Sequence, residues 1–228
     1  NRGLETMFIM MNAARFAVGI QGISVAERAY QKAVAYAKDR VQSKDLEGSP
    51  TAVSIIHQPD VRRMLMSMRA QIEAARALAY VGAAAFDVAH HHTDEKVRNA
   101  NQAFYEFLVP IIKGWSTEMS IDVASTALQI HGGMGFIEET GAAQYYRDAR
   151  ILTIYEGTTA IQANDLVGRK TVRDGGAVAR NIIAAVRVTE AELAAASSKD
   201  LAAIHAHLVA ASLSLIHISE PTRPERIS

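Results

Sequence analysis

A chain of 228 residues has room for one or two domains with a buried core. Lys and Arg number 24 against 24 Asp and Glu, so no net field draws nucleic acid or an anionic membrane. Cysteine is absent, which excludes disulfides and thiolate metal sites and, with them, a secreted disulfide scaffold.

Hydrophobic residues make up 49% of the chain and aromatics only 6%. Ala, Met, Leu and Ile carry the apolar load, and such side chains favour helix over strand. No run of about 18 apolar residues occurs, so no membrane span is expected, and the cysteine-free composition fits a cytoplasmic location. The opening Asn1-Arg2-Gly3-Leu4 has neither an initiator Met nor a signal-peptide pattern and reads as the middle of a longer chain.

From Leu4 to about Gln42, Met7, Met11, Ala14 and Val18 recur at alternating four and three; Gln21 interrupts the stripe, which resumes with Val25, Ala29, Ala33 and Tyr36. That spacing predicts a long helix with one face for a partner. Gly19 and Gly22 fall beside the interruption, each costing about 1 kcal/mol against Ala. Two glycines there predict close approach by a neighbouring helix or a ligand. Ser43 to Ser54 is a polar loop.

A second helix is expected from Pro59, with Val61, Leu65, Met68, Ile72, Ala75 and Ala79 as its buried stripe, ending near His90-His91-His92. Met64, Met66 and Met68 read as core filler. Asp94 should cap a third helix running towards Leu128, with Pro110 kinking it. After Gly132, Gly133 and Gly135, short helices are expected at 141–147 and 158–168. Ala-rich helices should follow at 177–194 and 200–213. No segment shows sustained period-two alternation. The fold class expected is all-α, an up-down helical bundle followed by the start of a second helical region.

Three consecutive histidines on a helix point in different directions, whereas a helical metal pair needs a spacing of three or four. His90-His91-His92 therefore reads as a solvated helix end, and no metal is expected. Gly132-Gly133-Met134-Gly135 follows no strand and precedes no Lys-Ser/Thr, so it is neither a Rossmann nor a Walker loop.

Two segments exceed packing needs: Gln129-Ile130-His131-Gly132-Gly133-Met134-Gly135-Phe136, and Arg147 to Thr158 ending in Ile154-Tyr155-Glu156-Gly157-Thr158. The second puts a carboxylate, a glycine and a hydroxyl at the start of a helix, where unpaired N–H groups suit an anion or a polarised carbonyl. Capping of that helix by Glu156 and Thr158 is the plainer alternative.

In order and spacing these motifs resemble the C-terminal signature of acyl-CoA dehydrogenases. The similarity runs from about Gly3 to Lys170 and includes Met11-Asn12-Ala13-Ala14-Arg15, Asp39-Arg40-Val41-Gln42 and His57-Gln58-Pro59-Asp60-Val61-Arg62-Arg63. It is greatest to the long bacterial branch, which carries an additional helical C-terminal domain. The resemblance implies a helical bundle over 1–171 and part of the additional domain over 172–212. It makes Glu156 the base that removes the acyl α-proton while a hydride leaves the β-carbon for FAD, giving a trans-2-enoyl-CoA. Arg15, Tyr155 and Gly157 are implied at the acyl-CoA substrate. Arg40, Gln42, His57, Gln58, Gln129, Ile130, His131, Gly132, Gly133 and Thr158 are implied at FAD, with 129–133 commonly serving a flavin across a subunit boundary. Arg15 could instead be a structural ion-pair partner. The resemblance further implies a homo-oligomer, dimer or tetramer, and electron-transfer flavoprotein as acceptor. An acyl-CoA oxidase and a DNA-associated alkylation-response relative share the resemblance; balanced charge offers the latter no support.

From Leu213 the chain changes character. Leu213 to Ser228 resembles a translated sequencing adapter and is set apart from fold reasoning.

Overall fold

The computed structural model describes residues 3–219, and every element among them is helical. Two compact units divide at Asn164, one spanning 1–163 and the other 164–228.

The first unit is built on α1 (Gly3–Asp39), α2 (Pro59–His91) and α3 (Glu95–His131). Arg76 of α2 meets Glu27 of α1 at 2.8 Å, and Gly82 lies against Phe16, so these two helices run antiparallel. Along α3, Ile112 faces Gly19 and Ser116 faces Gly22, so α3 runs parallel to α1. The chain then turns through α4 (Gly133–Phe136) and a 3-10 turn at Glu138–Thr140 before α5 (Ala142–Leu152) returns along α3 and α1. The result is the expected up-down bundle.

The core follows the helical spacing. Val18, Ala26, Ala29, Ala33 and Ala37 of α1 pack inward, as do Leu65, Met68, Ile72, Ala75 and Ala79 of α2. Met66 departs from the core-filler expectation and is 73% exposed. Two residues advance a helix by about 200°, so Met66 and Met68 cannot share a face. Asp94 caps α3 by accepting from Lys96 N at 2.8 Å, and the helix runs through the buried Pro110 as far as His131. α5 extends to Leu152, beyond the expected Arg147.

Gly19 and Gly22 serve a helix rather than a ligand. A Cβ on Gly22 would lie 2.7 Å from the Ser116 carbonyl oxygen, and one on Gly19 would lie 2.8 Å from Ile112 Cγ2. At Gly22 the contact is with backbone alone, so no side chain can yield there.

In the second unit a π segment (Asp165–Thr171) precedes α7 (Ala177–Ala194), which packs on α8 (Lys199–Ser219). Asp174 caps α7 through Gly176 N at 2.8 Å and Val178 N at 3.1 Å, and Ala179 and Ile183 form its buried face. Of the adapter-like segment, 220–228 lies outside the described residues. No helix among the described residues is long and apolar enough to cross a membrane.

Gly22→Ala forces overpacking worth about 1–3 kcal/mol, against which better helix propensity returns only about 1 kcal/mol. Gly114→Ala is the matched control, because its Cβ meets Gln162 at an ordinary 3.6 Å. Thermal unfolding is expected to show a lowered midpoint for the first and an equal or raised midpoint for the second.

Candidate active site

The 153–158 segment leaves α5 through a turn and enters α6 (Thr159–Asn164). Glu156 has φ 54° and Gly157 φ 91°, two successive left-handed residues. For a residue with a Cβ that conformation costs roughly 1–2 kcal/mol, so the loop is held by specific partners. Lys113 Nζ donates to the Gly157 carbonyl at 2.7 Å. Gln162 Nε2 donates to the carbonyls of Glu156 at 3.3 Å and Gly157 at 3.2 Å. The Tyr155 hydroxyl donates to Gln21 Oε1, which explains the residue that breaks the apolar stripe of α1. Thr159 Oγ1 donates to Glu118 of α3.

These bonds leave Glu156 exposed at the turn, with its carbonyl drawn inward. Thr158 is also exposed, and its Oγ1 accepts from Ile161 N at 3.4 Å, capping α6. Arg15 is buried in α1, and its charge acts on Lys113, which places it in the cluster beneath the loop. The four residues implied at the substrate and the base thus gather at one site.

Lys113 and Gln162 were not singled out in the sequence, yet both side chains are sealed from solvent. A signal for Lys113 existed. It keeps helical phase with Val109, Ser116, Ser120 and Ala127 on the buried face of α3, where a lysine has no solvent to reach.

A second cluster forms at the far end of the same helices. Arg40, Gln42, Gln129, Ile130, His131, Gly132 and Gly133 line one cleft of about 470 Å³, together with Tyr36, Ile55 and Met134. Gln42 N to Val53 O at 3.0 Å and Ile55 N to Arg40 O at 2.8 Å fold the 40–55 loop back on itself, presenting Arg40 and Gln42 to the cleft. His131 is buried, stacks on Tyr36 at 4.5 Å and binds the Ala127 carbonyl through Nδ1 at 2.7 Å. Burial pushes its pKa below the usual imidazole value, which favours a neutral ring forming one wall. Gly132 has φ 59°, and a Cβ on either Gly132 or Gly133 would meet nothing within 4 Å, so the turn offers open backbone approach.

His57 and Gln58 do not join this lining. His57 lies in a 3-10 turn (Ile55–His57), and Gln58 Nε2 donates to the Lys44 carbonyl at 3.1 Å, bracing the loop. The two clusters stand well apart. Gln21 marks one and Tyr36 the other, and fifteen helical residues span roughly 22 Å. The histidines at the end of α2 act separately: His90 Nδ1 binds the Phe86 carbonyl at 2.8 Å, and His92 Nδ1 accepts from Asp94 N at 3.0 Å.

Gly157→Ala should destabilise the loop by about 1–2 kcal/mol from its positive φ. Its Cβ would also lie 2.8 Å from Gln162 Nε2 and displace that amide. A lower unfolding midpoint, with faster proteolysis near residue 157, is the expected outcome. An unchanged midpoint would show that the turn is not built as described.

The family model for the acyl-CoA dehydrogenase C-terminal domain matches residues 1–170. Over 194 residues the chain is 59% identical to a 3-methylmercaptopropionyl-CoA dehydrogenase of Ruegeria pomeroyi, covering 85% of this chain and 33% of the relative. It is 38% identical over 185 residues to a broad-specificity linear acyl-CoA dehydrogenase of Mycobacterium tuberculosis, covering 77% and 30%. The solved butyryl-CoA dehydrogenase of Megasphaera elsdenii is similar at a TM-score of 0.57 and 29% identity, covering 73% of this chain and 38% of that one. The chain spans about a third of the length of these curated relatives.

Proposed function

The chain belongs to the acyl-CoA dehydrogenase family, and from that premise we propose that it carries the catalytic base and part of the flavin site of an FAD-dependent dehydrogenase. The observation that carries this reading is the 155–158 loop, where buried groups hold two left-handed residues so that a carboxylate stands exposed at the turn. A capping role alone would not call for a buried glutamine on both carbonyls and a buried lysine on one of them.

Glu156 removes a proton from the acyl α-carbon. When bound, FAD supplies the acceptor for the hydride leaving the β-carbon, and a trans-2-enoyl-CoA results. A thioester α-proton is too weakly acidic for a free carboxylate, so N–H donors must stabilise charge developing on the thioester oxygen. The N–H of Glu156 is the donor that the family resemblance implies. Glu156 is exposed in this chain, so desolvation of the base comes with the bound ligands. Tyr155 and Gly157 shape the acyl slot, and Arg15 lies below it.

The residues fit FAD in two places. Thr158 stands beside the base, while Arg40, Gln42, Gln129 and the Gly132-Gly133 turn offer a cation, two amides and open backbone to a diphosphate or adenosine. The separation of the clusters supports assigning them to flavins of two different subunits, and hence a homo-oligomer. Electron-transfer flavoprotein is the proposed acceptor. The proposed substrate is a short thioether acyl-CoA, supported by 59% identity to the 3-methylmercaptopropionyl-CoA enzyme against 38% to the linear acyl-CoA enzyme.

Anaerobic mixing of the full-length flavoenzyme with 3-methylmercaptopropionyl-CoA and with butyryl-CoA tests the reading. The thioether substrate should reduce the flavin at least about tenfold more efficiently, a difference of about 1.4 kcal/mol. The Glu156→Gln enzyme should retain FAD and bind acyl-CoA yet lose reduction by orders of magnitude. Reduction within about tenfold of wild type, about 1.4 kcal/mol of barrier, would exclude Glu156 as the base. Better turnover of butyryl-CoA would overturn the substrate assignment and leave the base standing.

Gly133→Val addresses the cleft. The branched side chain enters open space, so the fold should tolerate it while FAD affinity and oligomeric mass fall. Flavin content and light scattering at several concentrations check this, and wild-type values for both would remove the turn from the flavin site.

A further inference from the structure

We propose that Lys113 is a positioning residue for the Glu156 loop: its ammonium, sealed in the bundle, holds the Gly157 carbonyl and with it the turn that carries Glu156. This rests on the reading of Glu156 as the base and names the group that sets its orientation.

Lys113 is 0% exposed and is the largest of the fully buried side chains. Burying an ammonium costs several kcal/mol unless charge and hydrogen bonds compensate. A methionine or leucine would suit the apolar face of α3 without that cost, so packing does not explain a lysine here. Its Nζ donates to Gly157 O at 2.7 Å, at the residue following the base.

The consequence for the loop follows from peptide geometry. All described peptide bonds are trans, and in a trans peptide the N–H points opposite to the C=O of the same unit. Gln162 draws the Glu156 carbonyl inward, and Lys113 with Gln162 draws the Gly157 carbonyl inward. The N–H groups of Gly157 and Thr158 therefore face away from those anchors, and Glu156 is carried on the same turned backbone. Without Lys113, one of the two anchors on left-handed residues is lost.

Glu118 faces Lys113 from its own helix, Arg15 from α1 and Glu156 from the loop. Burial, foremost, and Arg15 push the lysine pKa down, while the two carboxylates push it up.

The test uses full-length FAD enzyme carrying Lys113→Met, which keeps the aliphatic stem, and Lys113→Gln, which keeps a donor but no charge. Single-turnover flavin reduction is followed over a range of acyl-CoA concentrations, with FAD content and acyl-CoA affinity measured alongside. Both variants should retain flavin and bind acyl-CoA within about threefold of wild type, while the reduction rate at saturation falls about tenfold or more. A flavin-loaded variant with the wild-type rate at saturation overturns the proposal. Loss of flavin or folding in both variants assigns Lys113 to the fold and overturns it equally. The Glu156→Gln enzyme, run in parallel, separates the two readings: if it is inert while Lys113→Met behaves as wild type, only the lysine's role fails.

Discussion

The crossing of α1 and α3 at Gly19 and Gly22 is the constraint on which the rest of the bundle depends. Nothing larger than hydrogen fits between the Gly22 Cα and the Ser116 carbonyl, so the two helices touch through their backbones. Close contact at one crossing fixes register along both helices. One direction leads to the Tyr36–His131 stack and the cleft beside it, while Lys113 and Gln21 lie at the crossing itself and hold the Glu156 loop. A shift of one residue along α3 would turn Lys113 away from Gly157.

The bundle shows how a helical scaffold can build a site on a short irregular segment. The loop itself buries little, and its conformation is intrinsically unfavourable at two successive residues. Its geometry is supplied by groups projecting from regular helices: Gln21 from α1, Lys113 and Glu118 from α3, and Gln162 from α6. Rigid elements thus set the carboxylate's position while leaving its oxygens exposed.

Much of this could be read from the sequence. Apolar spacing located the long helices, and Gly19 and Gly22 announced a close approach, because glycine inside a helix is costly unless space demands it. Asp94 and Pro59 marked helix starts. Glu156, Tyr155 and Thr158 were legible through motif resemblance, as was the Gln129–Gly133 stretch that lines the cleft with Arg40 and Gln42. Lys113 was not, because a lysine in a helix is ordinarily a solvated residue; only its phase with Val109 and Ser120 marks it as inward. Met66 is the converse case: its residue type suggests the core, but its helical angle turns it to solvent. The π segment at Asp165–Thr171 left no compositional signature, being decided by hydrogen bonding such as Thr171 Oγ1 to Leu166 O at 2.8 Å.

The proposed role of Glu156 is proton removal, and that step can be observed without flavin turnover. With the flavin of the full-length enzyme held reduced, no hydride acceptor is available, so reversible deprotonation appears only as exchange at the acyl α-carbon. Mass spectrometry of acyl-CoA recovered from D2O measures it. Deuterium should enter the α-position in the wild-type enzyme, more slowly in Lys113→Met, and not detectably in Glu156→Gln. Exchange at the wild-type rate in Glu156→Gln would place the base elsewhere.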